Sequence, residues 1–124
     1  MITPTQIAEA FSGHRFKETY DHLAPDVRWI LVGGETIHGR DRVIDTCEQT
    51  VAELAGTTTE FLRFVTIADR QAVAVDTVGR YRSPDEETSI VASCDIYEFQ
   101  QGAVATITSY TVELTAPNAD TSDA

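Results

Sequence analysis

A chain of 124 residues, 42% hydrophobic and with its charges spread along its length, has the size and balance of one folded domain with one core. Its formal charge of −11 sets it against nucleic acid and anionic membrane surfaces, and neither is expected as a partner. A neutral or cationic, mostly apolar small molecule matches that charge better. No apolar run approaches the roughly 20 residues a membrane helix needs, and Met1-Ile2-Thr3-Pro4 lacks the basic and apolar regions of a signal peptide. A cytoplasmic location is therefore expected. Cys47 and Cys94 fall on different predicted elements without metal-type spacing, which predicts reduced, packed thiols. His14, His22 and His38 are scattered, so no metal site and no cofactor are expected.

Thr3-Pro4-Thr5-Gln6 reads as a helix start: Thr3 caps, Pro4 suits the first helical position, and Gln6 completes a capping box. Ile7, Ala8, Ala10 and Phe11 then share one face. Ser12-Gly13 interrupts, and the spacing of Phe16, Tyr20 and Leu23 predicts a second helix from His14 to Leu23, ended by Ala24-Pro25-Asp26. Val27 to Val32 and Glu35 to His38 read as short strands around a Gly33-Gly34 turn. Val43, Ile44, Cys47, Val51 and Leu54 make a helical stripe over Arg40 to Ala55, with Gly56 as its stop.

The rest is strand. Thr57 to Ala68, Gln71 to Arg82, Glu87 to Gln100 and Ala103 to Leu114 are rich in Val, Ile, Thr, Tyr and Phe, and short breaks between them predict antiparallel neighbours. Residues 115–124 are small, polar and acidic, the composition of a disordered tail after a single domain spanning 1–114. Three helices in the N-terminal half and a sheet after them predict an α+β fold, with the helices on one face of a curved antiparallel sheet. Ile90, Ala92, Cys94 and Ile96 share one face of their strand, and Val91, Tyr97 and Phe99 the other, so both faces are apolar. Helices bury only the concave face. The convex face, Tyr110 included, is expected to meet a second copy in a sheet-to-sheet homodimer.

Asp95 is the most informative residue. It lies in mid-strand, in Ile90-Val91-Ala92-Ser93-Cys94-Asp95-Ile96-Tyr97-Glu98-Phe99, just before a Gln100-Gln101-Gly102 hairpin signal. Burying a carboxylate is costly unless it is hydrogen-bonded or takes up a proton. An acid kept at that cost is a candidate for chemistry or ligand recognition. A bond to a nearby amide or Arg side chain is the plainer alternative.

Three segments carry a resemblance: Leu23-Ala24-Pro25-Asp26-Val27-Arg28-Trp29, Ile37-His38-Gly39-Arg40-Asp41, and Asp95-Ile96-Tyr97-Glu98-Phe99 leading to Gly102. In order and spacing the chain resembles the nuclear-transport-factor-2-like superfamily, and within it the SnoaL-like group of polyketide cyclases, over about residues 5 to 114. The resemblance implies a cone-shaped shell with an apolar pocket between helices and sheet. In the ketosteroid isomerase branch an aspartic acid in the matching strand donates a hydrogen bond to the enolate oxygen. SnoaL-like cyclases rely largely on one aspartate that moves a proton. This implies Asp95 as the proton donor or acceptor of a cofactor-independent isomerase, cyclase or lyase acting on an apolar carbonyl compound. Tyr97, Phe99, Ile107, Ser109, Thr111, Trp29 and Leu31 would line the pocket.

The departures are equally specific. The isomerase base falls at about Leu31 and its oxyanion tyrosine near Ile7, both inert, so a typical ketosteroid isomerase is not expected. Of the limonene-epoxide-hydrolase site only one acid, at Asp76, has a match; its Arg falls near Ala74 and its other Asp at Ser109. Asp76 is thus a second candidate acid with two readings open. Local alternation buries Val73 and Val75 and exposes Asp76, whereas the resemblance turns Asp76, Val78 and Arg80 inward. His38 is an acid-base candidate at a helix entry, with a surface or capping role as its alternative. A non-catalytic ligand-binding protein or sensor, and a dimeric interaction module, are the other functions this fold allows.

Overall fold

The computed structural model describes residues 2–85 and 88–114; the predicted tail, 115–124, lies outside them. Helix α1 spans Pro4–Ser12 and begins as its sequence dictates. Gln6 N–H donates to Thr3 Oγ1 at 3.1 Å, and Thr3 N–H donates to Gln6 Oε1 at 2.8 Å. The helix buries Ile7, Ala8, Ala10 and Phe11.

The predicted second helix is a 3₁₀ segment, Phe16–His22, shorter than expected at both ends. Thr19 Oγ1 donates to the carbonyl of Phe16, three residues back, at 2.6 Å, which suits the tighter winding. His14 stands before it with φ 64.

Strand β1 (Leu23–Leu31) starts four residues earlier than expected. Ala24-Pro25-Asp26 therefore falls inside a strand, where its register against a later strand slips between Leu23 and Arg28. A proline without an N–H is tolerated at such an irregularity. Strand β2 (Thr36–His38) pairs back on β1, and α2 (Arg40–Glu53) buries Val43 and Cys47. Burial pushes the free Cys47 thiol up to about 12.

The remaining strands are β3 (Thr58–Ala68), β4 (Ala72–Arg82), β5 (Ser89–Gln100) and β6 (Ala103–Leu114). The β5–β6 hairpin turns on Gln101 and Gly102, both with positive φ (53° and 81°), the geometry of a tight two-residue turn. The six strands form one curved sheet in the order β2-β1-β6-β5-β4-β3.

The sheet is mixed, not purely antiparallel as the short connections suggested: β1 and β6 run parallel. Short loops constrain only strands adjacent in sequence. The β1–β6 pairing is set by where α2 delivers the chain, at the far edge, from which β3 to β6 wind back to β1. Both α-helices pack on one face, over a core of Ile7, Phe11, Val27, Val43, Val75, Tyr97 and Ile107 among others. No helix of the described residues is long and apolar enough to cross a membrane.

Candidate functional site

Asp95 lies midway along β5, opposite Val75 on β4 and Ser109 on β6, and points to the helical face. Hydrogen bonds settle both of its oxygens. Ser109 Oγ donates to Oδ1 at 2.6 Å, and Ser12 Oγ, from the end of α1, donates to Oδ2 at 2.8 Å. Each serine is backed by another donor. Trp29 Nε1 donates to Ser109 Oγ at 2.9 Å, and Ser12 Oγ lies 2.6 Å from the Tyr97 hydroxyl. An indole N–H can only donate, so Ser109 accepts from Trp29 and its own proton is free for Asp95. Ser12 spends its single proton on Asp95, which leaves Tyr97 as the donor to Ser12. Burial and the negative charge of Asp95 hold the Tyr97 hydroxyl well above its ordinary range, so it keeps that proton.

Packing fixes these donors. Phe11 meets Trp29 edge-on at 5.1 Å, Tyr97 at 5.9 Å and Phe16 at 4.9 Å between ring centroids. One phenyl ring from α1 therefore orients both the indole and the phenol, an arrangement favoured by the aromatic quadrupole.

The carboxylate opens onto a cavity of about 290 Å³ between α1, α2 and the sheet. Phe11, Phe16, Trp29 and Leu31 make its apolar wall; Thr46 and Thr50 of α2 and Thr77, Ser93 and Thr111 of the sheet add hydroxyls. Among the described residues Asp95 is the only carboxylate in the lining, which includes no Lys or Arg. His14 and Tyr81 complete the wall. Burial lowers the His14 imidazole below 6.5 against the opposing pull of Asp95, and burial, then Asp95, raises the Tyr81 phenol. A larger concavity, about 720 Å³, is built from Pro4 and the β3–β4 and β5–β6 turns; among the described residues it shares none with the Asp95 cavity, and of the sequence candidates it takes in Phe99.

The other sequence candidates divide. Trp29, Leu31, Ser109 and Thr111 line the cavity with Asp95. Tyr97, Phe99 and Ile107 share that face but are buried in the core beneath it, Tyr97 reaching the site through Ser12. Asp76 is on the opposite face of the sheet. Asp76 pairs with Cys94 and alternates with the buried Val73 and Val75, so for Asp76 local alternation was the right guide and the inward register was not, although Val78 of the same parity is itself buried. There Asp76 Oδ2 accepts from Arg63 Nε at 2.9 Å, and Arg80 pairs with Glu60 at 2.8 Å. His38 is exposed in a separate shallow cleft with Pro25, Gly39 and Arg40, away from Asp95. Among the described residues no cluster of His, Cys, Asp and Glu is placed to hold a metal ion.

Ser12, His14, Thr77, Tyr81 and Ser93 were not anticipated. For Ser12 a signal existed: it follows Ala8 by four residues and Phe11 by one, which puts a polar side chain on the buried stripe of α1.

Comparison with known proteins agrees with this architecture. A protein of unknown function from Cytophaga hutchinsonii ATCC 33406, described as NTF2-like, is 26% identical with a TM-score of 0.78, over 90% of this chain and 100% of its own. A candidate polyketide cyclase from Pseudomonas putida KT2440 is 16% identical (TM-score 0.69; 95% and 96% of the two chains). An LEH-like epoxide hydrolase of M. tuberculosis is 17% identical (TM-score 0.63; 93% and 84%). At these identities the last two are alike in fold alone. No curated protein matches the chain. The SnoaL-like domain family matches residues 5–107, and the chain belongs to that family.

Proposed function

We propose that the protein binds a small, largely apolar carbonyl compound in the Asp95 cavity and that Asp95 acts on it as a general base, without a cofactor. The observation that carries this reading is the direction of the hydrogen bonds. Two serine hydroxyls, backed by Trp29 and Tyr97, donate to the carboxylate, an arrangement that suits a proton acceptor. In the step envisaged, a carboxylate oxygen takes a proton from the carbon next to the carbonyl. The C–H electron pair moves to form an enolate, with its charge on oxygen. In an isomerisation the proton then returns to a carbon of the enolate; in a ring closure the enolate carbon bonds to a second carbonyl carbon, whose C=O π pair moves to its oxygen and takes the proton. A positioned base contributes about 10²–10⁴ to such a rate. The family relationship and the candidate cyclase among its structural neighbours agree with this reaction class.

The test is hydrogen exchange at the methyl group of acetophenone in D₂O, followed by proton NMR. Wild type should accelerate exchange above buffer, and Asp95→Asn should lower it by about 100-fold or more. Equal exchange in the two proteins would sink the proposal.

A specific observation also favours the homodimer. The outer face of the sheet carries Ile67, Val112 and Tyr110 at 70%, 59% and 48% exposure. Its central charged pair, Arg63 and Asp76, is already neutralised within the chain. A second copy packed on this face would cover these side chains and leave the Asp95 cavity, on the other face, open to ligand.

A further inference from the structure

The hydrogen bonds around the cavity run through Ser12, Trp29, Asp95, Tyr97 and Ser109, and among the described residues they leave Tyr81 and His14 unused. Both side chains nevertheless line the cavity. Tyr81 lies six residues along β4 from Val75, the cross-strand partner of Asp95, and so toward the other end of the same face. Its ring folds back over Gly79. A Cβ at residue 79 would meet the ring carbon Cε2 and the hydroxyl oxygen of Tyr81, each at 3.0 Å. The missing side chain at Gly79 is therefore what allows the phenol to lean toward the carboxylate.

His14 arrives from α1 and holds φ 64, a left-handed conformation that few residues other than glycine adopt. Its ring centroid is 6.0 Å from Tyr81, 5.7 Å from Phe16 and 5.8 Å from Phe61. Between this pair and Asp95 runs one cross-strand row of hydroxyls, Thr77, Ser93 and Thr111. The cavity is thus polarised: an accepting carboxylate lies at one end, and a phenol O–H beside an imidazole at the other.

We propose that Tyr81 and His14, with Gly79 positioning the Tyr81 ring, form a donor subsite that takes the carbonyl oxygen of an apolar ketone. The proposal rests on the reading of this cavity as the ligand site, but not on Asp95 being a base. A neutral phenol gives its proton to a carbonyl lone pair, and an uncharged imidazole has one N–H to add. Neither group brings a positive charge, so a neutral carbonyl suits them better than a carboxylate or phosphate, which Asp95 would also repel.

Binding of acetophenone and of ethylbenzene, two probes of similar shape with and without the oxygen, tests this by NMR titration. Wild type should prefer acetophenone. Tyr81→Phe keeps the ring and should weaken acetophenone about fivefold, the worth of one hydrogen bond, with ethylbenzene unaffected. Gly79→Ala retains the hydroxyl but displaces it, and His14→Leu removes the imidazole; each should narrow the same preference. Asp95→Asn should retain it even as exchange stops, which separates failure of the subsite from failure of the base. Equal binding of the two probes to wild type, or an unchanged preference in Tyr81→Phe and His14→Leu, would overturn the subsite.

Discussion

Ser12 Oγ lies 2.8 Å from Asp95 Oδ2, joining the end of the first helix to the middle of the fifth strand across 83 positions of sequence. The contact does two jobs. It gives the carboxylate one of its two donors, and it satisfies the buried Tyr97 hydroxyl, which lies 2.6 Å from the same serine oxygen. The stability of the α1–β5 contact and the state of the candidate base are therefore tied to one hydroxyl group.

Ser12→Ala removes that hydroxyl and leaves the Tyr97 O–H buried without its partner. Such an orphaned group costs about 1–3 kcal/mol, and urea unfolding should show a loss of that size. Tyr97→Phe in the Ser12→Ala background should recover part of it, because the orphan is then gone. Strict additivity in this double-mutant cycle would mean the two hydroxyls are not coupled.

Trp29→Phe retains most of the apolar contact with Phe11 but deletes the N–H that orients Ser109. Ser109 can then turn its proton away from Asp95. Acetophenone exchange should slow while ethylbenzene affinity stays near that of wild type. Loss of both together would point to a packing role for Trp29 instead.

Burial lowers the pKa of His14 against the raising effect of Asp95, and Tyr81 also faces its ring. Below 6.5 the unfolded chain takes up this proton more readily than the folded one. The His14 contribution to stability is therefore flat above about pH 6.5 and falls as pH drops toward the lower folded value. Denaturation curves from pH 8 to pH 5 should show this slope in wild type and a shallower one in His14→Gln. Matching slopes would place His14 in water.

On the outer face, Val112→Glu and Ile67→Glu add charge to exposed apolar positions whose side chains are not part of the cavity lining. Wild type should sediment with twice the mass of one chain, and the double variant with the mass of one. Acetophenone should still bind the monomeric variant. A monomeric wild type would remove the homodimer.

Much of this protein was legible locally. The capping box at Thr3 and Gln6, strands β3, β4 and β6 and the hairpin at Gly102 lie where their residues predicted to within a residue, because each depends on neighbours a few positions away. The face of Asp95 was legible for the same reason: a carboxylate in mid-strand has a definite face once the register is known. Local alternation even gave the correct outward side for Asp76 when the resemblance argued otherwise. Only the tertiary structure decided that β1 runs parallel to β6 and that Pro25 sits within a strand. It alone brought Ser12, Trp29 and Ser109 around one carboxylate and laid Tyr81 over Gly79. Those relations join segments far apart in the chain, or depend on how a side chain folds across its own strand, and no short-range pattern of hydrophobicity encodes either.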